Sequence, residues 1–326
     1  MGAKRGRMPD FVGIGFQKCG TTTLFDLLAA HPELALARDV KEPMFYRVPA
    51  FYTLHWPWRK RYYSWRYFGH IPAQDRRLVG EVNAGLSFSG CAKMLTQDFS
   101  HETKLFFMMR NPVDRAWSAF KFFCALGFLP SQVIRDDISH GHAAAFDRYC
   151  KHVLTDPKQT AWIHRKRMKY LCFSQGNYAD LIEEYAAFPN RHYILFEEFV
   201  KDQRAVCEEL YRFLGVSAPA EGIPYGMKAN ETNRRAVSPV KAKYRMVVKG
   251  FDYTFDEFFA LSHWWPWAYR KHKAHTRKAF YACTAPDEDK NKMLPETRRL
   301  LEDYYRPQKD RMADLLGRSL DEIWFA

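Results

Sequence analysis

The stretch FVGIGFQKCGTTTLFDLLAAH, residues 11–31, changes its period halfway along. Phe11 to Phe16 is an apolar run of strand character, and from Thr21 or Thr22 onward Leu24, Leu27 and Leu28 recur at helical spacing. The pattern predicts a strand, a tight loop and a helix. Such a junction gathers backbone N–H groups and the positive end of the helix dipole at one point, which suits a phosphate or sulfate group. Lys18 adds a full positive charge there. Gly20 lets the backbone approach without a Cβ, and Thr21, Thr22 and Thr23 add hydroxyl donors. Residues 18–23, Cys19 included, are therefore expected to bind an anion.

A second stretch makes an independent case. Lys104 to Arg110 reads as a buried strand, and Asn111-Pro112 opens a helix. Arg110 then stands at the strand's end and Ser118 about two turns into the helix, so a guanidinium fork and a hydroxyl can hold one phosphate from two sides. Further strands are expected at 34–36, 77–82 and 192–197. Helices are expected at 178–185, at 205–214 with a stop at Gly215, and at 296–316 with a break at Pro307. Strands separated by helices imply a P-loop-like α/β fold, a central mainly parallel sheet flanked by helices on both faces, as one domain over 1–326. Ligands of such sheets sit beyond the carboxyl ends of the strands, where both loops should converge.

The formal net charge of +13 gives a surface field that attracts anions: an anionic cofactor, a glycan, nucleic acid or a membrane surface. Seven cysteines, without a C-x-x-C pair or clustering with histidine, argue against a disulfide framework and a zinc site, and for reduced thiols. No apolar run suits a transmembrane segment or a signal peptide. Aromatic residues make up 16% of the chain. Two blocks, 51–68 and 263–273, mix rings with cations and are candidate acceptor surfaces; core aromatics or an interfacial membrane contact are the alternatives.

Nucleoside-triphosphate loops place lysine after the second glycine, directly before Ser/Thr, whereas Lys18 precedes Gly20. The order K-x-G-T-T resembles the 5′-phosphosulfate loop of sulfotransferases that use 3′-phosphoadenosine 5′-phosphosulfate (PAPS). RNPVDRAWS, residues 110–118, resembles the R-[ND]-P-x-x-R-x-x-S pattern by which that family holds the cofactor's 3′-phosphate. Gly176-x-Tyr178, YILFEEF at 193–199, FLGV at 213–216 and the 297–318 tail are similar to the carbohydrate-sulfating (heparan-sulfate-type) branch and its bacterial relatives. The resemblance spans nearly the whole chain.

Sulfuryl transfer needs an in-line acceptor, a base for its proton, and positive charge on the departing phosphate. The resemblance implies PAPS as donor and 3′,5′-diphosphoadenosine (PAP) as product, with Lys18 on the bridging oxygen and phosphosulfate. The leaving group is already good, so no metal is required. Glu42 in KEPMFYR is the implied base, and Lys41 beside it favours its carboxylate form. Met44 stands where relatives often have histidine, so that role is not carried over. GEVNAGLSF, residues 80–88, is similar to the family's G-E-K-T-P-x-Y segment but has Val82, Asn83 and Ala84 for its lysine, threonine and proline. Glu81 is left either as a second candidate base or as a salt-link partner that positions Lys18. Tyr178, Lys228, Asn230 and Arg234 or Arg235 complete the expected cofactor residues, the last ones on a basic loop over the 3′-phosphate.

The leading expectation is a PAPS-dependent sulfotransferase acting on a hydroxyl or amine of a carbohydrate or glycolipid-type acceptor, anionic ones included. A cytoplasmic, bacterial enzyme is expected, with a Golgi-lumenal location only for a trimmed chain. The alternatives are a magnesium-dependent P-loop kinase of a small molecule and a non-catalytic polyanion or nucleic-acid binder. The last predicts steeply salt-dependent binding without turnover, and nucleic acid is not the expected partner.

Overall fold

The computed structural model describes residues 7–37, 42–43, 45–47, 53, 57–88, 90–126, 142–165, 171–219, 221–226 and 292–325. The chain divides into two compact units: Met1–Pro112 with Asn177–Asn230 and Gln308–Ala326, and Val113–Gly176 with Glu231–Pro307.

The first unit carries the sheet. Strands β1 (Phe11–Gly15), β2 (Leu34–Leu36), β3 (Leu78–Val82), β4 (Lys104–Met109) and β5 (Arg191–Leu195) lie in the order β2-β3-β1-β4-β5. Every pairing is parallel. The central strands β1 and β4 are apolar and almost wholly buried, as strands covered on both faces must be. Bulky rings fit between them only because glycines leave room: a Cβ at Gly13 would lie 2.2 Å from Phe106, and one at Gly80 2.3 Å from Phe11. Helix α1 (Thr21–Ala29) returns the chain from β1 toward β2, while β4 leads away on the other side. The carboxyl ends of β1 and β4 therefore flank the point where the strand order reverses, where open α/β sheets bind ligands.

The ring-and-cation block resolves into helix α2 (Arg59–Phe68), whose buried face is Arg59, Tyr63, Ser64, Tyr67 and Phe68. Its Arg59 lies against Asp98, the last residue of helix α3 (Cys91–Asp98), with Nε 2.6 Å from a carboxylate oxygen. The Tyr46 hydroxyl donates to the same carboxylate at 3.2 Å.

In the second unit, helix α4 (Pro112–Leu126) from Val113 onward keeps company with α5 (His142–Leu154), α6 (Pro157–Arg165) and α7 (Leu171–Ser174). Arg115 is fully buried and donates from Nη2 to the Cys172 carbonyl. The middle of the chain, unassigned beyond helix or loop by its sequence, is thus helical over α5 to α7.

Back in the first unit, helix α8 (Tyr178–Glu183) precedes β5, and helix α9 (Phe196–Lys201) follows it at once. The strand expected over 192–197 thus stops at Leu195, and Phe196 and Glu197 are helical. Helix α10 (Gln203–Leu214) begins where Asp202 accepts the Ala205 N–H at 2.9 Å and ends at Gly215, φ 81°. Helix α11 (Pro295–Leu316) runs through Pro307 without the expected break. Pro307 and Asp303 are both exposed, so water can satisfy the Asp303 carbonyl that proline leaves without a partner.

Replacing Asp98 by alanine strands a buried guanidinium and should cost about 3–5 kcal/mol. Urea unfolding would show a lower midpoint at unchanged slope. A loss under about 1 kcal/mol would mean that Arg59 is solvated after all.

Candidate active site

The backbone after β1 makes a tight left-handed turn. Lys18 has φ 70° and Gly20 φ 85°, and the Cys19 N–H closes the turn on the Phe16 carbonyl at 3.3 Å. Lysine in this region costs about 1–3 kcal/mol, a strain found where backbone must be aimed at a ligand. Gly20 caps α1 without any side-chain hydrogen bond to the helix. A Cβ on Gly20 would lie 2.8 Å from the Phe196 ring and 3.2 Å from the Met108 methyl.

Arg110 arrives at the same place from β4. Its Nη1 lies 3.5 Å from the Lys18 carbonyl oxygen, and its guanidinium sits 4.7 Å from the Phe196 ring centre. Phe196 therefore supports both the glycine turn and the arginine. Beneath them, the Tyr178 hydroxyl donates to the Arg110 carbonyl at 2.7 Å and accepts the Arg110 N–H at 3.4 Å. It also lies 3.8 Å from the Cys19 thiol. Cys19 and Tyr178 are fully buried. Both are expected on the cofactor; in this structure their side chains are buried and link the two loops.

Glu197 and Trp324 complete this underside. One Glu197 oxygen accepts the Asn111 N–H at 2.7 Å and the other the Trp324 indole N–H at 3.3 Å. Burial raises the Glu197 carboxyl above its usual range, against the pull of those donors. The Trp324 ring packs 5.7 Å from that of Tyr178. Neither residue carried a sequence signal beyond the quoted YILFEEF, read as strand throughout.

Glu42 is half-buried in the segment after β2. That segment is fastened by Asn83, whose side chain donates to the Pro43 carbonyl at 2.8 Å and accepts the Gly85 N–H at 2.9 Å. The Asn83 N–H itself reaches the Gly13 carbonyl of β1 at 2.7 Å. Ser118 is half-buried on α4, in the second unit, whereas Arg110 belongs to the first. Lys41, Lys228, Asn230 and Arg234 lie outside the described residues, as do Met44, Arg235 and the 263–273 block.

Glu81 corrects one expectation. It is 0% exposed, neither carboxyl oxygen has a hydrogen-bond partner, and no salt link to Lys18 is formed. Burial pushes its carboxyl up to about 8; Tyr63 and Asn83 lie near enough to favour the charged form in part, but neither is placed for a proper hydrogen bond. Tyr46, Tyr63, Tyr67 and Tyr185 all feel its charge, which raises their own hydroxyls further. The proton held in the fold at pH values where the unfolded chain has lost it makes stability fall as pH rises from about 4.5 to about 8. The slope reaches up to about 1.4 kcal/mol per pH unit. Glu81→Gln should remove it, so the variant's advantage in urea unfolding grows across that window. Parallel pH curves for the two proteins would show Glu81 charged throughout.

Residues 8–244 match the sulfotransferase domain family. Over 167 residues the chain is 29% identical to carbohydrate sulfotransferase 15 of Rattus norvegicus and 27% identical to that of Homo sapiens. The match takes in 36% of this chain and only 28% of each relative. A sulfotransferase from Alicyclobacillus acidocaldarius shares the fold, with a TM-score of 0.57 over 97% of this chain and 98% of that one at 20% identity. The family match takes in the left-handed loop of Lys18 and the Arg110 turn: the chain belongs to the sulfotransferase domain family.

Proposed function

We propose that this enzyme draws its sulfuryl group from PAPS, releases PAP, and sulfates a hydroxyl or amine of a carbohydrate or glycolipid-type acceptor. One observation carries the reading of the cofactor: Arg110 and Lys18, 92 residues apart, meet across the strand-order reversal with the guanidinium on the lysine's carbonyl. A cation from each anion motif thus stands at one end of the sheet. The carbohydrate sulfotransferase relatives support the acceptor class.

PAPS, when bound, supplies the sulfuryl group on a phosphate leaving group that needs no metal. Lys18 offsets the charge that gathers on that phosphate, and the start of α1 with Thr21, Thr22 and Thr23 cradles it. Arg110 holds the 3′-phosphate, joined in this reading by Ser118, Lys228, Asn230 and Arg234. Glu42 takes the acceptor's proton, with Lys41 its neighbour in sequence. Glu81 ranks second as base because a fully buried carboxyl is protonated at neutral pH and has no path to an acceptor. The reading places the whole chain in one sulfotransferase domain in the cytoplasm; among the described residues no helix is long and apolar enough to cross a membrane.

Calorimetry with PAP against ATP, without and with magnesium, tests the cofactor. Metal-independent preference for PAP is expected, and preference for magnesium ATP would restore the kinase reading. Lys18→Ala should lower turnover by about 10²–10³-fold. Glu42→Gln should lower it by about 10²–10⁴-fold with PAP affinity unchanged. Near-wild-type turnover in the latter would move the base elsewhere.

A further inference from the structure

Four large apolar side chains are strongly exposed among the described residues, and two of them, Trp58 at 65% and Trp65 at 51%, flank one helix face. Trp58 caps α2 and Trp65 lies two turns further on, about 10 Å along the axis. Arg61 and Tyr62 sit between them on that face. The Tyr62 and Trp65 rings are 5.9 Å apart, and Tyr62 stacks at 6.0 Å on Phe45, three residues beyond Glu42. A line of rings thus leads from the segment of the proposed base to the outer face of α2.

The charge along this line has one sign. Residues 57–69, PWRKRYYSWRYFG, contain no acid, and of their four cations Arg59 is paired with Asp98 in the core, leaving Lys60, Arg61 and Arg66 outside it. Lys60 and Arg61 are exposed, and Arg66 lies over the Tyr67 ring at 5.4 Å. The broad apolar side of the helix, Tyr63, Tyr67 and Phe68, is already spent on the core. What remains outside alternates rings with cations and lacks the wide apolar stripe that an interfacial membrane helix buries. Flat sugar faces stack on such rings while guanidinium and ammonium groups pair with carboxylates or sulfates.

We infer that the outer face of α2, Trp58 to Trp65 with Arg61, is an acceptor subsite for an anionic oligosaccharide. The inference deepens the carbohydrate-sulfating reading and rests on it. Its occupant is a chain of several sugars carrying negative charge, because two ring platforms two helical turns apart exceed the need of a single ring.

The test is calorimetric titration of the full chain, saturated with PAP, using heparin and hyaluronan hexasaccharides, uncharged maltohexaose, and phosphatidylcholine–phosphatidylserine vesicles. At least one anionic hexasaccharide should bind ten times more tightly than maltohexaose. Trp65→Ala and Trp58→Ala should each weaken it about tenfold, and Arg61→Ala should weaken it and flatten its salt dependence. Thermal melting and PAP affinity should be unchanged in all three variants. Equal glycan affinity in the tryptophan variants would overturn the inference, as would binding to vesicles with none to either anionic glycan. Failure of PAP to bind counts against the cofactor reading alone, since the glycan titration without PAP still decides the role of α2.

Discussion

A lysine held at φ 70° two residues before a glycine at φ 85° is the constraint around which the sheet's carboxyl edge is built. The turn persists only because packing beneath over-determines it. That packing comes from distant parts of the chain. Phe196 presses on Gly20 and Arg110, Tyr178 clamps both backbone groups of Arg110, and Glu197 secures Asn111 while Trp324 holds Glu197. Pre-organisation of this kind matters for a charge-stabilising site, since dipoles already in place cost nothing to reorient as charge develops.

The two candidate carboxylates show how burial assigns roles. Glu42 follows strand β2 and Glu81 lies within β3, both in stretches that resemble motifs of the same family, so residue type cannot separate them. Position does. Glu42 keeps access to solvent, whereas Glu81 is sealed among tyrosines, where desolvation favours its protonated form. A group in that state cannot offer a salt link to Lys18, and the sequence provides no cation beside it because Val82 occupies the place of the family's lysine.

The sheet was legible from periodicity and loop chemistry because those signals are local. Phe11 to Phe16, Leu34 to Leu36 and Lys104 to Met109 each carry their own pattern, and Asp202 and Gly215 mark α10 by capping rules that need no tertiary information. The errors share a cause. Phe196 and Glu197 look like strand residues, yet the chain turns helical there so that one ring and one carboxylate can support loops some 80 residues or more away in sequence. The burial of Tyr178 and Cys19 against the two loops could not be read from their motifs either, because which side of a backbone a side chain takes is set by packing. The ring-and-cation block was unreadable as a whole because α2 divides it, with one face in the core and the other in water.

The departure from the family pattern at 82–84 gains a physical meaning from Asn83. Val82 stands where the family pattern has lysine, so this segment brings no cation of its own. Asn83 is buried and ties three things at once: the β1 backbone through Gly13, the short 3-10 turn Ala84–Ser87 through Gly85, and the Glu42 segment through Pro43. A threonine hydroxyl has one donor and an acceptor to offer, but from a single oxygen on a shorter stem it would have to reach both the Gly85 N–H and the Pro43 carbonyl. The amide, with separate donor and acceptor ends, bridges both. This segment has therefore exchanged charge for fastening: it supplies no cation of its own, and it holds the strand after which Glu42 emerges to the strand that ends in Lys18's loop.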